Sequence, residues 1–109
     1  MNLESFIGRP WSEGYNCADF VEEVTGFDVR AVTGEQAMLL RTKYYQDGDI
    51  VLMTHGELFH VGIVYGDRQH VAHNLKDVGV VSTPITKVGR LGLAIEGYYR
   101  INDRFSISL

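Results

Sequence analysis

Phe59-His60-Val61-Gly62-Ile63-Val64-Tyr65-Gly66-Asp67-Arg68-Gln69-His70-Val71-Ala72-His73-Asn74-Leu75 reads as two strands folded around one polar turn. The run Phe59–Tyr65 is rich in β-branched and aromatic residues, Gln69–Leu75 is the third strand, and Gly66-Asp67-Arg68 supplies the reversal. Closing the hairpin through a two-residue turn at Asp67-Arg68, or a four-residue loop from Gly66 to Gln69, pairs Tyr65 with His70 and Gly62 with His73. Alternation puts His60, Gly62 and Val64 on one face, and directly paired residues share a face. His73 therefore joins His60, and His70 goes to the other side. A three- or five-residue loop reverses the faces and brings forward His70 or Asn74. In the favoured register His60 and His73 are diagonal neighbours roughly 7–8 Å apart at the backbone. Gly62, opposite His73, leaves room for a ring.

Working outward, Gln46-Asp47-Gly48-Asp49 is a turn signal, followed by a short strand over Ile50–Met53. Val78–Ile85, bounded by Pro84, and Ile95–Ile101 complete five strands. Towards the N-terminus, Phe6–Tyr15 is an irregular lead-in, and Asn16–Thr25 reads as a helix with Asn16 as N-cap, Asp19 in the first turn and Gly26 as its stop. Cys17, Phe20, Val21 and Val24 form its apolar stripe, with Glu22 and Glu23 off it. Glu35–Lys43 is a second, weaker helical candidate. Helices followed by consecutive strands give an α+β fold, with N-terminal helices packed on a mostly antiparallel five-stranded sheet. The 109 residues suffice for one hydrophobic core, so residues 1–109 are read as a single domain.

Composition excludes several function classes. The formal charge is −4 and the basic residues are scattered singly, so no positive stripe exists to neutralise a nucleic-acid backbone. No stretch approaches the roughly 20 apolar residues of a membrane span. The start Met1-Asn2-Leu3-Glu4-Ser5-Phe6-Ile7 carries an acid where a secretory signal peptide is basic, and its apolar run is short. The expectation is synthesis in the cytoplasm, with any action outside it depending on another route. One cysteine permits no intramolecular disulfide. No CxxC or HExxH pair accompanies it, so neither a metal nor a cofactor is expected.

A cysteine in the first turn of a helix lies beside unpaired backbone N–H groups and the positive end of the helix dipole, both of which favour a thiolate. The same N–H groups can receive the oxygen of a tetrahedral intermediate. Cys17 is therefore the candidate nucleophile, His60 the candidate general base and His73 the residue that orients it, by the logic of Cys-His-polar sites. Its own backbone N–H is the first oxyanion donor.

These residues resemble the NlpC-type papain-like cysteine peptidases. Gly14-Tyr15-Asn16-Cys17-Ala18-Asp19-Phe20 is similar to that family's nucleophile motif G-[FY]-[DN]-C-[SA]-x-[FL]. Asp47-Gly48-Asp49-Ile50-Val51 and His60-Val61-Gly62-Ile63-Val64-Tyr65-Gly66 resemble its GD-[LI]-V and H-V-G-I strands. Order and spacing agree over about residues 8–85. The resemblance implies a catalytic cysteine, a histidine and a third polar residue on the next strand, corresponding to Cys17, His60 and His73. It also implies hydrolysis of amide bonds in bacterial peptidoglycan peptides, commonly between γ-D-glutamate and a diamino acid. The short form looks like variants associated with phage tails and prophages, which implies phage tail proteins as partners and delivery by a tail to the cell wall. Three features depart from the family. Its usual P-Y-x-W-G-G run is replaced by Gly8-Arg9-Pro10-Trp11-Ser12-Glu13-Gly14, leaving Trp11 or Tyr15 to supply a side-chain oxyanion donor. The third polar residue comes one place late. The run Asn16-Cys17 with Phe20-Val21 is also similar to lecithin:retinol acyltransferase-like proteins, in which the histidine precedes the cysteine; here it follows. An amidase or acyltransferase acting on another amide or ester, or an inactive tail-assembly domain, are the alternatives.

Overall fold

The computed structural model describes residues 2–30 and 39–101. Among them are one α-helix, α1 (Cys17–Thr25), and six strands: β1 (Leu39–Thr42), β2 (Ile50–His55), β3 (Leu58–Tyr65), β4 (His70–Leu75), β5 (Gly79–Pro84) and β6 (Ala94–Ile101). Two 3-10 helices, Leu3–Phe6 and Ile85–Leu91, complete the framework. The architecture is α+β. All pairings are antiparallel, in the order β1-β6-β2-β3-β4-β5.

Local chemistry sets the boundaries. The Asn16 side chain accepts the N–H groups of Ala18 (3.0 Å) and Asp19 (3.2 Å), while the Asp19 carboxylate accepts the Asn16 N–H at 3.0 Å. This reciprocal capping box opens α1, and Gly26 in the left-handed region (φ 78°) closes it. The β3–β4 connection is the expected four-residue loop, with Tyr65 opposite His70 and Gly62 opposite His73. Asp67 and Arg68 both take positive φ (59° and 65°), a strained choice for non-glycine residues. The Asp47 carboxylate offsets that strain by accepting both of their N–H groups, at 3.2 and 2.8 Å.

One expectation is corrected. Leu39–Thr42, read as part of a helix over Glu35–Lys43, is the edge strand β1, so the sheet has six strands rather than five. Residues 35–38 of that candidate lie outside the described residues. Leu39–Thr42 pairs with Tyr98–Ile101, and the Arg41 guanidinium donates to the Glu96 carbonyl at 2.9 Å across the pair. Long-range pairing here overrides a weak local preference.

The sheet is covered on both faces. Phe20 and Val21 of α1 pack with Ile50, Val61, Ile63, Ala72 and Val80 on the first face. The second face carries Val51, Met53, Val64 and Val71 beneath Val88 and Leu93 of the β5–β6 connection. No helix of the described residues is long and apolar enough to cross a membrane.

Candidate functional site

Cys17 is the first residue of α1, half-buried against the first core cluster. Asn16 consumes the next two N–H groups of the turn, and the Cys17 N–H has no backbone acceptor among the described residues. A free N–H therefore lies on the same residue as the thiol, as an oxyanion donor requires.

Cys17 lines a pocket of about 680 Å³ whose walls are mainly apolar: Val29, Leu39, Ile50, Leu52, Phe59 and Val61. Arg30 and Tyr99 add its polar groups. Arg30 is already bound to Asp28 (2.8 Å), Asp19 (3.0 Å) and Glu22 (3.2 Å), and the Tyr99 hydroxyl donates to Glu96 at 3.1 Å. No imidazole lines this pocket among the described residues.

The histidines form a second group. His60 Nε2 and His73 Nδ1 share a hydrogen bond at 2.8 Å, and His73 Nε2 shares another with Thr83 Oγ1 at 2.8 Å. The two rings meet edge to face with centroids 5.0 Å apart. Burial pushes His60 down to about 4, and burial with the neighbouring His60 pushes His73 down to about 3, so both are neutral near pH 7. Gly62 makes the contact feasible: a Cβ there would lie 2.5 Å from Val71 Cγ1 and 3.0 Å from His73 Cβ.

The structure joins His60 to His73 as the register requires, but it does not bring either to Cys17. His60 pairs with Met53, a residue of the second-face cluster, and shares its face with Val64. Cys17 packs on the first face, with Val61 and Ile63. The sheet lies between thiol and imidazole. Both faces of β3 are apolar, Val61 and Ile63 on one and Gly62 and Val64 on the other, so alternation fixes which residues share a face without saying which face the helix covers.

The candidate side chains for the oxyanion are also elsewhere. The Tyr15 hydroxyl donates to Glu23 at 2.9 Å, beside the Arg9–Glu23 ion pair, and neither Tyr15 nor Trp11 lines the Cys17 pocket. The polar group that does reach the start of α1 from the sheet is Asn74. Its Nδ2 donates to the carbonyls of Tyr15 (2.8 Å) and Asn16 (3.3 Å). In the sequence it appeared only as the residue that a different loop length would bring forward. Among the described residues no group of three or more His, Cys, Asp or Glu is arranged to hold a metal.

Comparison with known proteins gives no matching family model and no matching curated protein.

Proposed function

We propose that the chain is a papain-like, NlpC-type cysteine hydrolase in which Cys17 is the nucleophile. Its proposed substrate is an amide of bacterial cell-wall peptides, with the bond between γ-D-glutamate and a diamino acid as the first candidate. The observation that carries this reading is the setting of Cys17: first residue of a doubly capped helix, its N–H without a backbone acceptor among the described residues, its side chain on a pocket wall. The surrounding Gly14–Phe20 run adds to it by its resemblance to a nucleophile motif.

In this reaction the Cys17 sulfur attacks the amide carbonyl carbon and the Cys17 N–H receives the developing oxyanion. The C–N bond then breaks as the amine takes up a proton, leaving an acyl group on sulfur. Water attacks this thioester, releasing the acid and restoring the thiol. Proton delivery to the amine is the role the resemblance gives His60, with His73 orienting it.

The opposite-face placement of Cys17 and His60 favours a second reading, in which the domain keeps the scaffold as a phage-tail component without turnover. Digestion of purified peptidoglycan peptides by wild type, Cys17→Ala and His60→Ala, followed by mass spectrometry, separates the possibilities. Cleavage of a defined amide that is lost in both variants supports the full Cys-His mechanism. Loss in Cys17→Ala alone retains the thiol and removes His60 from the mechanism. Absence of cleavage by wild type supports the scaffold reading.

A further inference from the structure

We infer that Asn74, not His73, is the β4 residue that positions Cys17, and that it acts through the backbone of the helix entry rather than through an imidazole. The inference rests on Cys17 being the reacting thiol. Strand alternation supplies the first argument: His73 faces Thr83 on the second face, so its neighbour Asn74 faces α1. Asn74 pairs with Val80, a member of the α1-side cluster.

The hydrogen bonds supply the second. Asn74 Nδ2 bonds the carbonyls of the two residues immediately before the thiol. The Tyr15 carbonyl also accepts from Ser12 N–H at 3.2 Å, and the Asn16 carbonyl from Phe20 N–H at 3.0 Å. Asn74 is thus a tie from the sheet to the junction where the Ser12–Tyr15 turn becomes helix. Because both partners are carbonyls, only the amino end of the amide can face them.

Burial supplies the third. Asn74 is 1% exposed, and its Oδ1 has no hydrogen-bond partner among the described residues. A buried acceptor left open is unfavourable, so an apolar side chain would serve packing better at this point. What the amide adds is two donors on the Cys17 entry. These fix the direction of the Cys17 N–H and Cβ relative to the pocket.

The test uses Asn74→Leu, which keeps the branching of the side chain at Cγ and removes the donors, and Asn74→Ala as a second variant in case the first folds poorly. Val88→Ala, in the core of the opposite face, is the control for general loss of stability. The primary readout is the rate of Cys17 alkylation by iodoacetamide in the folded protein across pH 6–9, with thermal melts alongside. Both Asn74 variants should alkylate several-fold more slowly than wild type, with an altered pH profile, while Val88→Ala does not slow. An unchanged rate, or a faster one that follows lost stability as in Val88→Ala, overturns the inference. This readout needs no turnover. If wild type cleaves no peptide, the hydrolase reading fails while the alkylation result still stands. Cleavage that requires Cys17 but is unaffected in Asn74→Leu overturns the inference alone.

Discussion

His60 and His73 are neutral because burial opposes their charge, and the free energy of that arrangement depends on pH. Both folded values, about 4 and about 3, lie below the ordinary histidine value of 6.5. Between pH 6.5 and 3 the unfolded chain therefore binds more protons than the folded one, so stability is complete above 6.5 and falls as pH drops through that window. Urea midpoints should decline steadily from pH 7 to pH 4.5. The decline should be shallower in His73→Leu, which also loses the bond to Thr83. An equal slope in both proteins would place the acid sensitivity elsewhere. At this scale the sequence exposes Cys17, its Asn16 cap and the His60–His73 contact, because each follows from spacing along one element or one hairpin. The Tyr15–Glu23 bond and the Asn74 tie join different parts of the chain, and no local pattern announces them.

The β3–β4 hairpin and the capped helix are the elements on which the site depends. A Cβ at Gly62 would meet Val71 Cγ1 at 2.5 Å and the Ala72 carbonyl at 2.9 Å, so Gly62→Ala forces the strands apart. The expected cost is about 1–3 kcal/mol, the range for overpacking a filled interior, with separation of the two imidazoles. Thermal melts measure the first effect and histidine ring NMR shifts the second. Asn16→Ala removes the acceptor for two helix N–H groups and should cost about 1 kcal/mol by urea denaturation. Four of the five expected strands lie within one residue of their observed bounds, and β2 begins as expected and runs two residues further, to His55. Their alternation and turn residues make them legible. β1 is the exception: Leu39-Leu40 is too short an apolar run to show a period, and only β6, more than fifty residues later, makes it a strand.

Across the whole molecule, the sheet separates a thiol face from an imidazole face. Residues on opposite faces with no shared partner should act independently on stability. In a double-mutant cycle of Cys17→Ala and His60→Ala, the stability effects should therefore add to within about 0.5 kcal/mol. A larger coupling would mean that the two side chains interact in solution. The side of β3 covered by α1 was not legible, because an apolar strand buried on both faces offers the helix two equivalent surfaces.

The central claim, that Cys17 carries the acyl group, is tested most directly by intact-protein mass spectrometry of wild type and Cys17→Ala quenched in acid during incubation with peptidoglycan peptides. Wild type should gain the mass of one acyl fragment, located on Cys17 and released by hydroxylamine, and Cys17→Ala should gain none. Peptide cleavage by Cys17→Ala at the wild-type rate, with no adduct on either protein, would contradict it.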